Sequence, residues 1–241
     1  MTVLVVTPTI GTDHLITAIE SVASQKSDFP VRHLLVVDGA EFEESVHKIV
    51  HNSGREVDLL VLPYNTGRSG FYGHRVLAAV GHLLPEDVDY VLFLDEDNWY
   101  LPSHVQTLVE TARFNRYDFS FSLRSYYSPS GEYLLEDNHA SLGDWSVYAD
   151  GGFFETRLVD TSAYCFERSY LEKHSHVWHS GIGADRSFFN TVRAFSRYGC
   201  SGYRTLCYRL SEDNLADSLK YIEAGNALSV AKYGSPPPWV Q

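Results

Sequence analysis

"VLFLDEDNWY", residues 91–100, decides how the chain folds. The apolar run Val91 to Leu94 passes directly into Asp95, Glu96 and Asp97. A short unbroken apolar run marks a strand buried on both faces, as in a parallel sheet covered by helices. Carboxylates at its end are either an ordinary solvated strand end or a place made for something positive. Side chains of a strand alternate with period two. If strand geometry persists, Asp95 and Asp97 face one way and Glu96 the other. Two carboxylates so spaced suit one hard divalent cation, which takes oxygen ligands and leaves positions for phosphate oxygens.

Upstream, the same kind of strand recurs, separated by helices. "TVLVVTP" (2–8), "RHLLVVDG" (32–39) and "VDLLVLPYN" (57–65) read as strands. "DHLITAIESVASQ" (13–25), with Leu15, Ile16, Ile19, Val22 and Ala23 at helical spacing, reads as a helix that Thr12 or Asp13 caps. "EFEESVHKIVHNSG" (41–54) is a helix ending near Gly54, and "GHRVLAAVGHLL" (73–84) and "SHVQTLVETARF" (103–114) are two more. Strands alternating with helices predict an α/β fold, a Rossmann-like, mostly parallel sheet with helices on both faces. Ligands of such sheets bind beyond the carboxyl ends of the strands. Here those ends carry Thr7-Pro8-Thr9, Asp38-Gly39, Pro63-Tyr64-Asn65 and Asp95-Glu96-Asp97.

Downstream the pattern loosens. Residues 124–160 are rich in Tyr, Ser, Gly and acids with no clear period, which suits a mobile cover. "LVDTSAYCFERSYLEKH" (158–174) reads as a strand entering a helix, "GADRSFFNTVRAFSRYG" (183–199) as a helix with Gly199 as C-cap, and "LADSLKYIEAGNALSVAKYG" (215–234) as a last helix. No Pro/Gly/Ser linker divides the 241 residues, so one domain over 1–241 is expected, with an ordered half, 1–115, and a looser half, 116–241.

Composition narrows the class. The chain is 44% hydrophobic and 14% aromatic, enough for a sizeable core. With 19 basic and 31 acidic residues its net charge is -12, which disfavours nucleic acid as a partner. No apolar run approaches the length of a membrane span or of a secretory leader, so a cytoplasmic protein with no transmembrane segment is expected. Cys165, Cys200 and Cys207 form no CxxC pair and read as reduced thiols.

These stretches together resemble the inverting family 2 glycosyltransferases of the GT-A fold, from residue 3 to about 210. "VVTPTIGTDHLITAIESVASQ" is similar to that family's opening strand and helix, with its Ser-x-x-x-Gln ending at Ser21 to Gln25. "LLVVDGA" resembles the second strand, with one acid, Asp38, where two are usual. "LPYNTGRSGFYGHRVLAA" resembles the Asn-Gly-rich segment before the third helix, and "FLDEDNWYLPSHVQTLV" the D-x-D followed by a Pro and a helix. "GADRSFF" stands where the family places an acceptor-side Glu-Asp; here it is Ala184-Asp185.

The resemblance implies a metal-dependent glycosyltransferase that moves a sugar from a nucleotide sugar, a UDP-sugar foremost, to an acceptor hydroxyl with inversion. Residues 1–115 would be the nucleotide-sugar-binding half and 116–241 the acceptor-side half. Thr7, Pro8 and Thr9 would line the nucleotide pocket and Asp38 would accept a hydrogen bond from the base. Arg68 would contact the donor phosphates or base, Asp95 the sugar or ribose, and Asp97 a Mn²⁺ or Mg²⁺ ion. Asp185 would be the general base, because an acceptor hydroxyl is a poor nucleophile until a carboxylate takes its proton. The acceptor's identity stays open.

Other motifs carry weaker signals. His174, His176 and His179 form H-x-H-x-x-H, a zinc-like spacing that polar loop histidines also produce, with His179 the one placed to complete a metal shell or touch a phosphate. "GRSGFYG" (67–73) is either a phosphate or acceptor contact, near a helix start, or plain turn chemistry. Trp99, Tyr100, Trp145, Tyr148 and Trp178 read as core or as sugar-stacking rings. Two rival functions remain: a nucleotidyltransferase, which would want a basic residue after the first strand where "TPTIGTDH" has neither Lys nor Arg, and an inactive nucleotide- or sugar-binding protein on the same scaffold.

Overall fold

A computed structural model describes residues 1–148, 157–213, 215–235 and 238–239. Four strands build the parallel part of the sheet: β1 (Thr2–Thr9), β2 (Val31–Val37), β3 (Asp58–Val61) and β4 (Val88–Phe93). Between them run α1 (Leu15–Ala23), α2 (Glu43–Ser53) and α3 (His74–Val80). β2 shows why near-continuous apolar strands are needed. Leu35 and Val37 pack with Leu15, Ile19 and Val46 on one face, while Val36 between them joins the main core on the other. The α2 helix stops at Gly54, in the left-handed region at φ 62°, as its sequence predicts.

The second half is more ordered than its sequence suggests. Short β5 (Trp99–Tyr100) and α4 (His104–Asn115) lead to β6 (Phe119–Tyr127), then β7 (Tyr133–Glu136) and β8 (Tyr164–Glu167). α5 (Arg168–His174), α6 (Ala184–Val192), β9 (Tyr198–Arg209) and α7 (Leu215–Tyr233) complete the chain. The sheet runs β3-β2-β1-β4-β8-β6-β9-β5, with β7 on β6. It is parallel through β4 and mixed beyond, where β8 lies antiparallel to both β4 and β6 and β9 parallel to β6.

Two sequence expectations fail here. The helix expected over 183–199 ends at Val192, and Gly199 is no C-cap: it sits inside β9, where a Cβ would come within 2.3 Å of the Tyr117 ring. The cover expected over 124–160 starts inside β6 and includes β7 and the buried residues 139–143. The rest of that segment, 149–156, lies outside the described residues. The aperiodic sequence arises because β6 carries polar residues into a buried network rather than an alternating apolar face, and the residues of β7 are half-buried or exposed. Among the described residues no helix is long and apolar enough to cross a membrane.

The Ser21-to-Gln25 ending of α1 has a structural purpose. The Gln25 amide donates to the carbonyls of Ser21 and Leu101 at 2.9 Å each and accepts from the Val105 N–H at 2.9 Å. One side chain thereby ties the end of α1 to the start of α4, behind the acidic turn that follows β4.

Candidate active site

Register brings the polar strand ends together. Thr9 pairs with Val37, and Val6 with Phe93, so β1, β2 and β4 end side by side. Beyond them lies a cleft of about 530 Å³, whose lining includes Pro8, Thr9, Asp38, Arg68, Asp95 and Asp97.

The acidic stretch does not continue as a strand. β4 stops at Phe93, and the chain turns so that the Asn98 N–H donates to the Asp95 carbonyl at 3.1 Å. Within this turn Glu96 reaches back to the β1–α1 loop, where its carboxylate accepts from Thr9 Oγ1 at 2.6 Å and the Thr12 N–H at 3.1 Å. Asp95 is fixed by Ser162: its N–H donates to Ser162 Oγ at 3.0 Å, and Ser162 Oγ donates to its carboxylate at 3.1 Å. Buried Asn98 donates to the same Ser162 Oγ and accepts the Arg209 N–H at 3.0 Å, while Arg209 Nε donates to the Asp97 carbonyl at 3.0 Å. The turn is therefore clamped from β8's side and from β9's, leaving Asp97 exposed at the mouth.

Its charge is unbalanced. Burial, followed by the charges of Asp160 and Asp97, holds Asp95 well above the ordinary carboxylate range. Asp97 is raised by desolvation within the cleft walls and then by Glu96 and Asp160. Asp185, in the first turn of α6, accepts the Arg186 N–H at 2.7 Å and is raised chiefly by burial. It is half-buried and is not a lining residue of the cleft, but its charge reaches and raises both Asp95 and Asp160. Acids held above their usual range have room to gain from a cation. The hard oxygen donors of Asp95 and Asp97 fit Mn²⁺ or Mg²⁺, which keep waters and share phosphate oxygens rather than needing an all-protein cage. Among the described residues no group of three His, Cys, Asp or Glu side chains forms such a cage.

Asp38 is buried and heavily used. Its Oδ1 accepts from the Thr66 N–H and Oγ1 at 2.8 Å each, and its Oδ2 from the Gly67 N–H at 2.8 Å. It thus clips the loop between β3 and α3 onto the end of β2, and still keeps a free lone pair on Oδ2. Arg68, on that loop, pairs with Glu41 at 3.1 Å, exposed to solvent. Thr7 is placed elsewhere: it is fully buried, with Oγ1 at 2.9 Å from His33 Nε2, beneath the cleft rather than in it. His179 packs beside the Phe71 ring, centroids 5.5 Å apart, and is not a lining residue. His174 packs with Tyr170 and Phe195, and among the described residues the three histidines form no group that could hold a metal. Of the candidate stacking rings, Trp178 and Tyr100 are core, Trp99 packs on Tyr127, Trp145 on Tyr233 and Trp239, and Tyr148 takes a hydrogen bond from Arg186.

Several site residues escaped the sequence. Tyr72, His74 and Tyr208 line the cleft. Ser162 and Asp160 support it: Asp160 accepts the Ser162 N–H at 2.9 Å and pairs with buried Arg124, which also binds Asp137 at 2.7 Å. The guanidinium lies 4.4 Å from the Tyr208 ring centre. Burial works to raise Asp137, but Arg124 and backbone N–H donors overcome it and leave Asp137 far below the usual range. The Asp-Thr-Ser of residues 160–162 is a capping signal that sequence shows, but its place beside Asp95 is set by β8 pairing with β4.

Comparison with known proteins agrees with this fold. Three crystal structures of S. aureus TarS share the fold. TarS 1–349 has 15% identity and a TM-score of 0.58 over 95% of this chain and 68% of that one. TarS 1–349 in complex with UDP-GlcNAc has 14% and 0.59, over 88% and 59%. The longer TarS structure has 15% and 0.57, over 95% and 41%. No curated protein matches the sequence. The model of the family "Glycosyl transferase family 2" matches residues 5–177, from the first strand through the Asp38 clip and the acidic turn, and on this match across most of its length the chain belongs to glycosyl transferase family 2.

Proposed function

We propose that the chain transfers a sugar from a nucleotide sugar, a UDP-sugar first, to an acceptor hydroxyl, with Mn²⁺ or Mg²⁺ and with inversion at the sugar carbon. Residues 1–115 hold the donor and 116–241 face the acceptor. The observation that carries this is the acidic turn after β4, whose Asp95 and Asp97 line one cleft together with Asp38, while Asp185, in the first turn of α6, stands outside the lining but near enough for its charge to raise Asp95. A UDP-sugar is favoured because structures of the same fold, those of TarS, are complexes with UDP and with UDP-GlcNAc.

The residues divide the work. Pro8, Thr9 and Asp38 border the nucleoside, and Arg68, at the rim, can leave Glu41 for the diphosphate. Asp97 would hold the ion, with Asp95 beside it toward the sugar or ribose, and the ion when bound would offset the negative charge developing on the departing nucleoside diphosphate. Asp185 takes the proton of the acceptor hydroxyl as it attacks the face of the sugar opposite the diphosphate. Its raised affinity for protons suits that task.

The competing role for Asp185 is that of a helix cap, and the Asn variant separates the two. Asn caps as well as Asp, but an amide cannot take a proton. Asp185→Asn is expected to fold normally and to bind donor and Mn²⁺ as the wild type does, while turnover falls by at least about 10²-fold. Wild-type turnover with an acceptor, or in donor hydrolysis, would remove Asp185 from the mechanism.

A further inference from the structure

The loop from Thr66 to Gly73 holds a side chain that its backbone does not favour. Among the described residues three non-glycine positions have positive φ, and two of them, Ser69 at 62° and Tyr72 at 48°, fall in this loop. A bulky side chain in the left-handed region is strained, where Gly or Asn would sit easily. Packing does not repay the strain, because Tyr72 is 64% exposed and its neighbouring ring is His74, edge-on at 6.1 Å. Hydrogen bonding forces the conformation: the Tyr72 N–H donates to the Gly67 carbonyl at 2.9 Å. Strain held at an exposed residue in a cleft is an observation from which function can be inferred.

Its place in the cleft says which function. A Cβ on Gly67 would lie 2.3 Å from the Tyr72 carbonyl oxygen and 3.0 Å from Asp38 Oδ2, so Tyr72 and Asp38 approach the same spot. A Cβ on Gly73 would lie 2.8 Å from Pro8, so the next residue is pressed against the end of β1. Tyr72 therefore rises from the nucleoside end of the cleft, between the clip at Asp38 and the wall at Pro8. The cleft's other tyrosine, Tyr208, is committed to the Arg124 guanidinium.

Resting on the nucleotide-sugar reading above, we infer that Tyr72 is the aromatic plate on which the base of the donor nucleotide stacks. Every base has a π-face and an aromatic ring can bind it without reading its edge. Asp38, with its free lone pair, is left to read the edge. The strained loop presents the ring to the cleft, and the loop's two close-packed glycines keep it there.

The test compares Tyr72→Asn, which suits the left-handed backbone and removes the ring, with Tyr72→Phe, which keeps it. Calorimetric titration with UDP, GDP, ADP and CDP in the presence of Mn²⁺ first selects the nucleotide that the wild type binds tightest. For that nucleotide Tyr72→Asn is expected to weaken binding roughly tenfold, with Tyr72→Phe within about twofold of wild type. Inorganic pyrophosphate, which has no base, is expected to bind all three proteins equally. Unchanged nucleotide affinity in Tyr72→Asn, or an equal loss of pyrophosphate affinity, overturns the stacking role while leaving the donor reading intact. A wild type that binds none of the nucleotides overturns both.

Discussion

At Asp38 three hydrogen bonds meet on one carboxylate, and the consequence differs from that of an exposed acid. In Asp38→Asn, Oδ1 can still accept from Thr66, but the new NH₂ faces the Gly67 N–H, donor against donor. Such a mismatch costs about 1–3 kcal/mol, which urea unfolding should register. Nucleotide binding should weaken with or without metal, because the loop that carries Arg68 and Tyr72 is released. Asp97→Asn, at the exposed mouth, should leave stability nearly unchanged and remove only the metal-dependent part of binding. Equal losses for both variants in both conditions would show that the two acids do not have separate tasks.

Between elements, a buried tie is made by Arg124, which β6 delivers between Asp137 and Asp160. All three side chains are buried, and removing the cation leaves two buried acids without a counter-charge, held only by neutral hydrogen-bond donors. Arg124→Met should therefore cost about 3–5 kcal/mol. The same ion pair orders Asp160, which holds Ser162, which holds Asp95. Donor binding in the presence of Mn²⁺ should thus weaken at temperatures where the variant is still folded. A variant that unfolds at wild-type urea concentration would mean that the pair is replaceable by apolar packing, as some buried pairs are.

Across the whole molecule, buried histidines set the response to acid. His33, bonded to Thr7 beneath the cleft, and His104, bonded to Thr205 and stacked on Tyr100, are both fully in the core, and burial lowers each to about 3. Unfolded, each takes a proton near the ordinary value of about 6.5. Below that pH the unfolded chain binds more protons than the folded one, so stability falls as pH drops from 6.5 toward 3, by up to about 1.4 kcal/mol per pH unit for each histidine. The raised cleft carboxylates act in the opposite sense, binding protons in the folded state, so the net slope is shallower than the histidines alone would give. Replacing Thr7 and His33 together by Val and Leu removes one contribution without stranding a partner. Urea unfolding between pH 7.5 and 5 should show a flatter profile for that double variant than for wild type. Parallel profiles would place the acid sensitivity elsewhere.

The apolar runs of β1, β2 and β4, the glycine ending α2 and the polar strand ends were all legible in the sequence, because parallel strands need unbroken apolar stretches and their carboxyl ends gather at one edge. That set the α/β half and pointed to Asp38, Asp95 and Asp97. The other half was not legible in the same way. β6 carries Ser120, Ser122 and Arg124 into a buried setting, and β9 begins where a helix pattern ran on, so neither shows the period of its element. Local sequence could not say that Thr7 turns inward to His33, that His179 stands apart from the acids, or that Ser162 and Asp160 close on Asp95. Those placements depend on β8 pairing with β4 and β6 with β9, contacts between residues far apart in the chain. The sequence by itself determined where the parallel half of the sheet would form and which acids its strand ends would present; only the tertiary structure decided what holds those acids in place, because long-range strand pairing, not local pattern, brings their supports to them.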